Sequence, residues 1–258
     1  MKIAIIGVGG LGGALAEGLL ARGATLSLCD RHADKTARFV GRAETHLDPL
    51  PAVAGADVVV LAVKPMLTPR KCREIAGQLG PAALVVSCAA GVPVAALETS
   101  GPTARAMPNL GAGRGVSTTG VFLGPRASRE RDLARLAEVF SAVGAVREVP
   151  DEGWLHAVTA VAASGPAFLL LAVEALVAGG VEAGLPRADA LAYAAGALRA
   201  AAARLEEGAA PATLRAEVTS PGGTTAAGLA CLEARAVRAA YQEAVRAAAA
   251  RARELAHG

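Results

Sequence analysis

The chain opens with MKIAIIGVGGLGGALAEGLLARGATLSLCDR (residues 1–31). An apolar β-branched run at 3–6 leads straight into Gly7-Val8-Gly9-Gly10-Leu11-Gly12. A helical pattern over 12–21 follows, then a second apolar run at 26–29 that ends on Asp30. This is the strand–turn–helix–strand layout in which G-x-G-x-x-G holds a dinucleotide pyrophosphate. Gly7 suits the tight turn, Gly9 the close approach of backbone to phosphate, and Gly12 the packing of helix on strand. Gly10 and Leu11 lie in the same turn, where unpaired helix N–H groups face the phosphates. Asp30, eighteen residues after Gly12, is placed to accept from a ribose 2′-OH, whereas Arg31 beside it welcomes a 2′-phosphate. The two side chains pull in opposite directions on cofactor choice.

Outward from this stretch, runs at 58–63, 84–88 and 146–149 read as further strands, and 33–40 and 128–142 as helices. The 58–63 run is apolar throughout, as in a strand covered on both faces. Alternation of this kind predicts an α/β fold, a Rossmann-like parallel sheet with helices on both sides, over residues 1–150. From 151 to 258 the strand-like runs give out and an all-α, Ala- and Leu-rich domain is expected. Gly184 and Pro186 mark a helix stop and a helix start. Leu191, Leu198 and Leu205 recur every seventh residue along the next helix. The uncharged run 157–173, broken by Ser164-Gly165-Pro166, has no face to offer water. It reads as a buried helix pair, and a homodimer formed by two such domains would bury it together with the Leu191 stripe.

Composition excludes several classes. Apolar residues make up 53% and charged residues 19%, the reverse of a disordered chain. The 26 basic and 23 acidic residues give a net charge of only +3, which argues against a nucleic-acid partner. The arginines near the C-terminus alternate with Glu233, Glu243 and Glu254, as on a solvated helix face. The early Lys2 and apolar stretch outline a signal peptide, but the glycines keep phosphate-loop register and Glu17 interrupts the run. No membrane association is expected. Four cysteines without paired spacing and four scattered histidines predict no disulfide and no metal site. A cytoplasmic location follows from that cysteine usage.

Three further segments carry candidate chemistry. Lys64-Pro65 closes one strand and Cys88-Ala89-Ala90-Gly91 another, both at carboxyl ends, where open α/β sheets bind ligands. Small residues there would let a nicotinamide lie near backbone, although ordinary strand-end turns read the same way. In the second half, Thr219-Ser220-Pro221-Gly222-Gly223-Thr224-Thr225 leads into a helix. A helix N-terminus with free N–H groups binds a carboxylate. A simple N-cap needs one hydroxyl and no double glycine.

With these pieces placed, the sequence resembles the pyrroline-5-carboxylate reductase family over nearly its whole length. The resemblance rests on the 7–12 glycine turn, Ala62-Val63-Lys64-Pro65, Val86-Ser87-Cys88-Ala89-Ala90-Gly91-Val92 and Arg105-Ala106-Met107-Pro108-Asn109. Ser164-Gly165-Pro166-Ala167, Gly184-Leu185-Pro186-Arg187 and Val218-Thr219-Ser220-Pro221-Gly222-Gly223-Thr224-Thr225 complete it. It implies reduction of the cyclic imine 1-pyrroline-5-carboxylate to L-proline by NADPH or NADH, with NADPH preferred, in a dimer held by the C-terminal helices. It also implies cofactor contacts at Ala62, Val63, Lys64, Pro65, Cys88, Ala89, Ala90 and Asn109. The substrate would sit against Ser220, Gly223, Thr224 and Thr225, with Thr225 bonding the ring nitrogen and Glu206 matching a family acid near it. This sequence departs from the family where Leu110-Gly111 follows Asn109 in place of Thr-Pro, where Ala163 replaces a glycine, and at His156 and Glu217.

Three other functions fit parts of the chain. A β-hydroxyacid dehydrogenase needs a catalytic lysine in its second domain, and no lysine follows Lys71. A reductase of a six-membered imine differs by one methylene, worth only about 1–3 kcal/mol. A non-catalytic dinucleotide sensor has no use for the 219–225 stretch.

Overall fold

The computed structural model describes residues 1–257. Two compact units emerge, one from Met1–Ser164 together with the chain from Ala247 onward, the other Gly165–Arg246. The division falls beyond residue 150 because the first helical segment after it belongs to the sheet unit. Leu155 clusters with Met107 and Val149, and Val158 packs against them.

The first unit is built on eight strands: β1 (Lys2–Ile6), β2 (Thr25–Cys29), β3 (Glu44–His46), β4 (Val58–Leu61), β5 (Leu84–Ser87), β6 (Thr103–Met107), β7 (Ser117–Leu123) and β8 (Gly144–Glu148). Their order is β3-β2-β1-β4-β5-β6-β7-β8. The chain runs outward from β1 on one side, then returns to lay β4 on the other. That reversal creates the crevice at the carboxyl ends of β1 and β4. Side chains alternate between faces. Ile3, Ile5, Val58 and Val60 point to one face with Leu15, Leu19, Val139 and Phe140. Ala4, Ile6, Val59 and Leu61 point to the other with Val53, Cys72 and Ile75. The covering helices are α1 (Gly10–Leu20), α2 (Ala33–Ala37), α3 (Pro49–Val53), α4 (Thr68–Ile75) and α5 (Arg129–Ser141).

The sheet differs from the all-parallel expectation at one pair, since β6 and β7 are antiparallel. Met107 and Ser117 are joined by a short loop containing a tight helical turn at Leu110–Arg114. A parallel partner would need a crossover of about a dozen residues or more. β3, β6 and β7 were also not expected. β3 has three residues, β6 carries Arg105 at its centre, and β7 contains Gly120.

After α6 (Trp154–Val158) a π turn, Thr159–Ala163, leads into the second unit, with Ser164 N–H donating to the Thr159 carbonyl at 2.8 Å. That unit holds α7 (Gly165–Glu182), α8 (Arg187–Glu206), α9 (Pro211–Glu217), α10 (Thr224–Ala234) and the first part of α11 (Val237–His257). Gly184, at φ 101°, ends the α7 segment, and Pro186 precedes α8. α7 and α8 pack through Val173, Val177, Ala190 and Ala194. The run 157–173, expected to be a buried helix pair, is not covered all round within one chain, where only its Ala160 and Val173 are buried. Trp154–Glu182 has the length and hydropathy to cross a membrane, and Leu171 is 67% exposed. Leu191, Leu198 and Leu205 also face outward, because alanines make the α7–α8 seam. An open apolar groove of about 880 Å³ is lined by Phe168, Leu171, Leu176, Val237 and Tyr241, among others.

At the start of α5 the Ser128 N–H donates to Asp132 Oδ2 at 2.8 Å, and Arg131 and Arg135 both donate to the same carboxylate. Burial opposes the charged form of Asp132, but these donors outweigh it and hold its pKa below the usual carboxylate range. A depressed carboxylate stabilises the fold above its unfolded pKa and loses that contribution as pH falls through the folded value. Asp132→Asn is expected to cost about 1–3 kcal/mol near neutral pH. In urea melts the gap from wild type should shrink as the pH drops below about 4.

Candidate active site

Gly7 leaves β1 with φ 95°, and a methyl on it would lie 2.7 Å from the Ala62 carbonyl oxygen at the end of β4. A methyl on Gly12 would collide with the Gly7 carbonyl. β1, α1 and the end of β4 thus meet at backbone distance, which only glycine permits. Positions around Gly9 and Gly10 are the opposite: a Cβ there would meet nothing within 4 Å. Gly9 is the α1 N-cap and no side chain caps the helix. Open space in front of unpaired N–H groups is a cradle for a phosphate.

Asp30 is committed to backbone. Its Oδ2 accepts the Val8 N–H at 2.8 Å and its Oδ1 the His32 N–H at 3.0 Å. The carboxylate ties the end of β2 to the glycine turn. Arg31 is exposed, its Nε donating to His32 Nε2 at 2.9 Å.

Lys64 and Pro65 follow β4 as an exposed turn, and the Lys64 carbonyl accepts from Leu67 N–H at 2.9 Å. Cys88 continues β5, its N–H donating to the Leu61 carbonyl at 3.0 Å. Burial pushes its thiol up to about 12, so it stays protonated and is no nucleophile. Ala89 N–H donates to the buried Ser87 hydroxyl at 3.2 Å. Asn109 leaves β6 with its N–H donating to Ser117 Oγ at 3.0 Å, while its Oδ1 accepts the Gly111 N–H at 2.9 Å. Gly7, Ala62, Cys88 and Asn109 all follow the carboxyl ends of strands β1, β4, β5 and β6. The sheet gathers them along one edge.

In the second unit Gly222, at φ 70°, turns the chain so that Gly223 becomes the N-cap of α10. No side chain caps this helix. Ser220 offers its carbonyl to Gly223 N–H at 3.0 Å, and the Thr219 hydroxyl donates to the Arg215 carbonyl at 2.6 Å. The Thr224 and Thr225 hydroxyls have no partner among the described residues, so the stretch is not an elaborate cap. Glu206 ends α8 as an exposed carboxylate and makes no hydrogen bond or ion pair with the turn. Arg204 instead pairs with Glu207 and Glu217. Among the described residues no cluster could hold a metal ion.

Residues 152–255 match the family described as pyrroline-5-carboxylate reductase dimerisation. Residues 2–91 match the family described as NADP oxidoreductase, coenzyme F420-dependent. The chain is 37% identical to the pyrroline-5-carboxylate reductase of Pseudomonas aeruginosa, with 99% of this chain and 97% of that protein aligned. It is 39% identical to the enzyme of that name from Thermus thermophilus, over 99% and 98% of the two chains. This chain belongs to the pyrroline-5-carboxylate reductase family. The solved reductase structure from Coxiella burnetii superposes with a TM-score of 0.90 at 32% identity, covering 98% of this chain and 97% of that one.

Within this pyrroline-5-carboxylate reductase family member, the Leu110-Gly111 departure is matched to its own turn. A methyl on Gly111 would come 2.7 Å from the Val116 carbonyl oxygen. A proline at 111 would also lack the N–H that holds Asn109 Oδ1. Arg105 and Glu152, which the sequence did not single out, lie behind these strand ends. Arg105 is 2% exposed and donates to the Ala89 carbonyl at 3.4 Å and Glu152 Oε1 at 3.1 Å. An arginine in the middle of a strand could have flagged this, because a buried guanidinium must be paired.

Because Asp30 holds the glycine turn through Val8, Asp30→Ala should weaken NADPH and NADH by similar factors. A hydrogen bond to a charged group is worth about 1.5–3 kcal/mol, or roughly tenfold or more in affinity. Titration of nucleotide fluorescence with each cofactor checks this. Selective loss of NADH would instead mark Asp30 as a ribose reader.

Proposed function

We propose that the chain transfers hydride from NAD(P)H to the C=N carbon of 1-pyrroline-5-carboxylate, giving L-proline. The observation that carries this reading is the uncapped start of α10, where two free hydroxyls flank free N–H groups behind a Pro-Gly-Gly turn. A carboxylate is the ligand such a terminus stabilises. Thr224 and Thr225 N–H groups, with Ser220 and Gly223 shaping the turn, would hold the substrate carboxylate. The Thr225 hydroxyl would bond the ring nitrogen, and Glu206 would stand near that nitrogen, as the family resemblance implies.

The glycine turn fits a dinucleotide, with open space at Gly9 and Gly10 and no capping side chain on α1. The bound cofactor supplies the hydride. Ala62, Val63, Lys64, Pro65 and Leu11 would flank it, and Cys88, Ala89, Ala90 and Asn109 would border its nicotinamide. The ring nitrogen carries its proton into the step as the iminium, so hydride addition to carbon gives the amine directly and needs position more than a strong base. The inert Cys88 thiol and the absence of a lysine after Lys71 accord with that economy.

NADPH is the cofactor we favour. Both Asp30 oxygens already accept backbone N–H groups, while the Arg31 guanidinium is exposed to meet a 2′-phosphate. We assign cofactor binding to residues 1–150 and substrate binding with dimerisation to 151–258. The exposed leucines of α7 and α8 and the groove beside Tyr241 are the apolar surface that a second copy would cover. Free cysteines accord with a cytoplasmic setting.

Loss of nicotinamide absorbance with purified protein, pyrroline-5-carboxylate, and NADPH or NADH in separate cuvettes tests the reaction. Oxidation in neither, with the protein folded, would refute it. Thr225→Ala should lower turnover at least tenfold and leave cofactor affinity unchanged; unchanged turnover would remove Thr225 from the chemistry. Arg31→Ala should raise the KM for NADPH far more than that for NADH, and equal weakening would mean that Arg31 does not read the phosphate.

A further inference from the structure

The turn that follows β5 is held at both ends by one ion pair, its arginine buried and its glutamate partly exposed. Arg105 Nη2 donates to the Ala89 carbonyl at 3.4 Å, and Arg105 Nη1 donates to Glu152 Oε1 at 3.1 Å. The same carboxylate oxygen accepts the Val94 N–H at 2.8 Å. Ala89 opens the turn and Val94 closes it. Between them Gly91 stands at φ 74°, and a methyl there would fall 2.8 Å from Leu255 Cβ and 2.9 Å from the Leu255 backbone. The turn is thus fixed from β6, from the segment before α6 and from the last turns of α11.

Such an arrangement is costly to the fold. Arg105 is 2% exposed, and its Nε finds no partner among the described residues. Burying a charge costs several kcal/mol, and apolar replacement of buried pairs is often neutral or stabilising. β6 is otherwise apolar or small, with Ala104, Ala106 and Met107 buried around the arginine. Packing alone gives no reason for a guanidinium there. What it does that an apolar side chain could not is hold the Ala89 carbonyl and, through Glu152, the Val94 amide.

We propose that Arg105, with Glu152, is the positioning residue that sets the turn from Cys88 to Val94 against the nicotinamide for hydride transfer. This rests on the proposed function, in which Cys88, Ala89 and Ala90 border that ring. Neither residue meets the reacting atoms. Loosening the turn would let the ring sample unproductive poses, which lowers turnover. The phosphate grip at the glycine turn would be left intact.

The test compares wild type with Arg105→Met, Arg105→Lys and Glu152→Gln. Arg105→Met is expected to keep its melting temperature and to bind NADPH within threefold of wild type. Its kcat should fall at least tenfold, and the isotope effect with C4-deuterated NADPH should rise. Arg105→Lys, which keeps the charge and loses the fork, should fall between the two. Amide hydrogen exchange at Ala90, Gly91, Val92 and Val94 should quicken in Arg105→Met and Glu152→Gln. A kcat within twofold of wild type would overturn the proposal. So would a kcat loss matched by lost nucleotide affinity and melting temperature, with the isotope effect unchanged. If Arg105→Met does not fold, the lysine and glutamine variants decide by the same readouts. An inactive wild type would refute the reaction, while the exchange data alone would still report whether Arg105 holds the turn.

Discussion

The carbonyl of Gly7 and the bare α-carbon of Gly12 approach so closely that no side chain fits between them. Much of the cofactor unit is arranged around that contact. It fixes the angle at which α1 leaves β1, and with it the direction of the first N–H groups. Ala62 sits against the same point, so the end of β4 is locked to the end of β1. The Asp30 carboxylate then binds the Val8 N–H and adds β2 to the junction. Three parallel strands are registered by backbone groups and one acidic side chain, at the sheet's point of reversal. The open, uncapped start of α1 is the by-product of that packing rather than an addition to it.

Much of this was legible in the sequence because steric needs leave few choices of residue. Glycine at 7 and 12 and an unbroken apolar run at 58–61 are nearly forced by the geometry they serve. Strands β3, β6 and β7 were not legible, for different reasons. Glu44–His46 is too short to show a period, and its edge position demands no apolar face. Thr103–Met107 hides its strand character behind Arg105, whose charge is neutralised only by residues distant in sequence. Gly120 breaks the pattern of β7 because Val158 packs where a side chain would be. For Asp30 the spacing identified the residue, whereas its main partner proved to be the loop itself. No sequence rule distinguishes a carboxylate that reads a ribose from one that locks a turn.

The helical unit shows what periodicity leaves open. Leucines at 191, 198 and 205 form a stripe, but the stripe is not the α7–α8 seam. Alanines at 190 and 194 make that seam with Val173 and Val177, because small side chains let the helix backbones come close. The larger residues are thereby turned outward, and α7 carries exposed leucines on its outer side as well. Exposed apolar surface on this scale is a binding surface by its physics. The surface lies within residues 152–255, which match a dimerisation family.

The loop after β6 shows how a family position changes residue without losing its constraint. The resemblance leads one to expect Thr-Pro after Asn109, where proline stiffens the backbone by fixing φ. Leu110-Gly111 cannot stiffen it in that way. Here the stiffness comes from hydrogen bonds: Gly111 N–H to Asn109 Oδ1, Asn109 N–H to Ser117, and Val116 N–H to the Gly111 carbonyl at 3.1 Å. The first requires an N–H that proline lacks, and the close approach of Gly111 to the Val116 carbonyl requires a bare α-carbon. Asn109 is therefore oriented by the turn itself, its carbonyl oxygen engaged and its amide NH₂ left to donate. The same mode of control recurs at Asp30, where a carboxylate holds backbone, and at Arg105, where a buried cation does. In all three places a polar group is spent on fixing a turn. The atoms left to meet the ligands are chiefly main-chain N–H groups and small side chains. A reaction that depends on holding a ring and an imine at contact distance asks for that rigidity more than for an acid or a base.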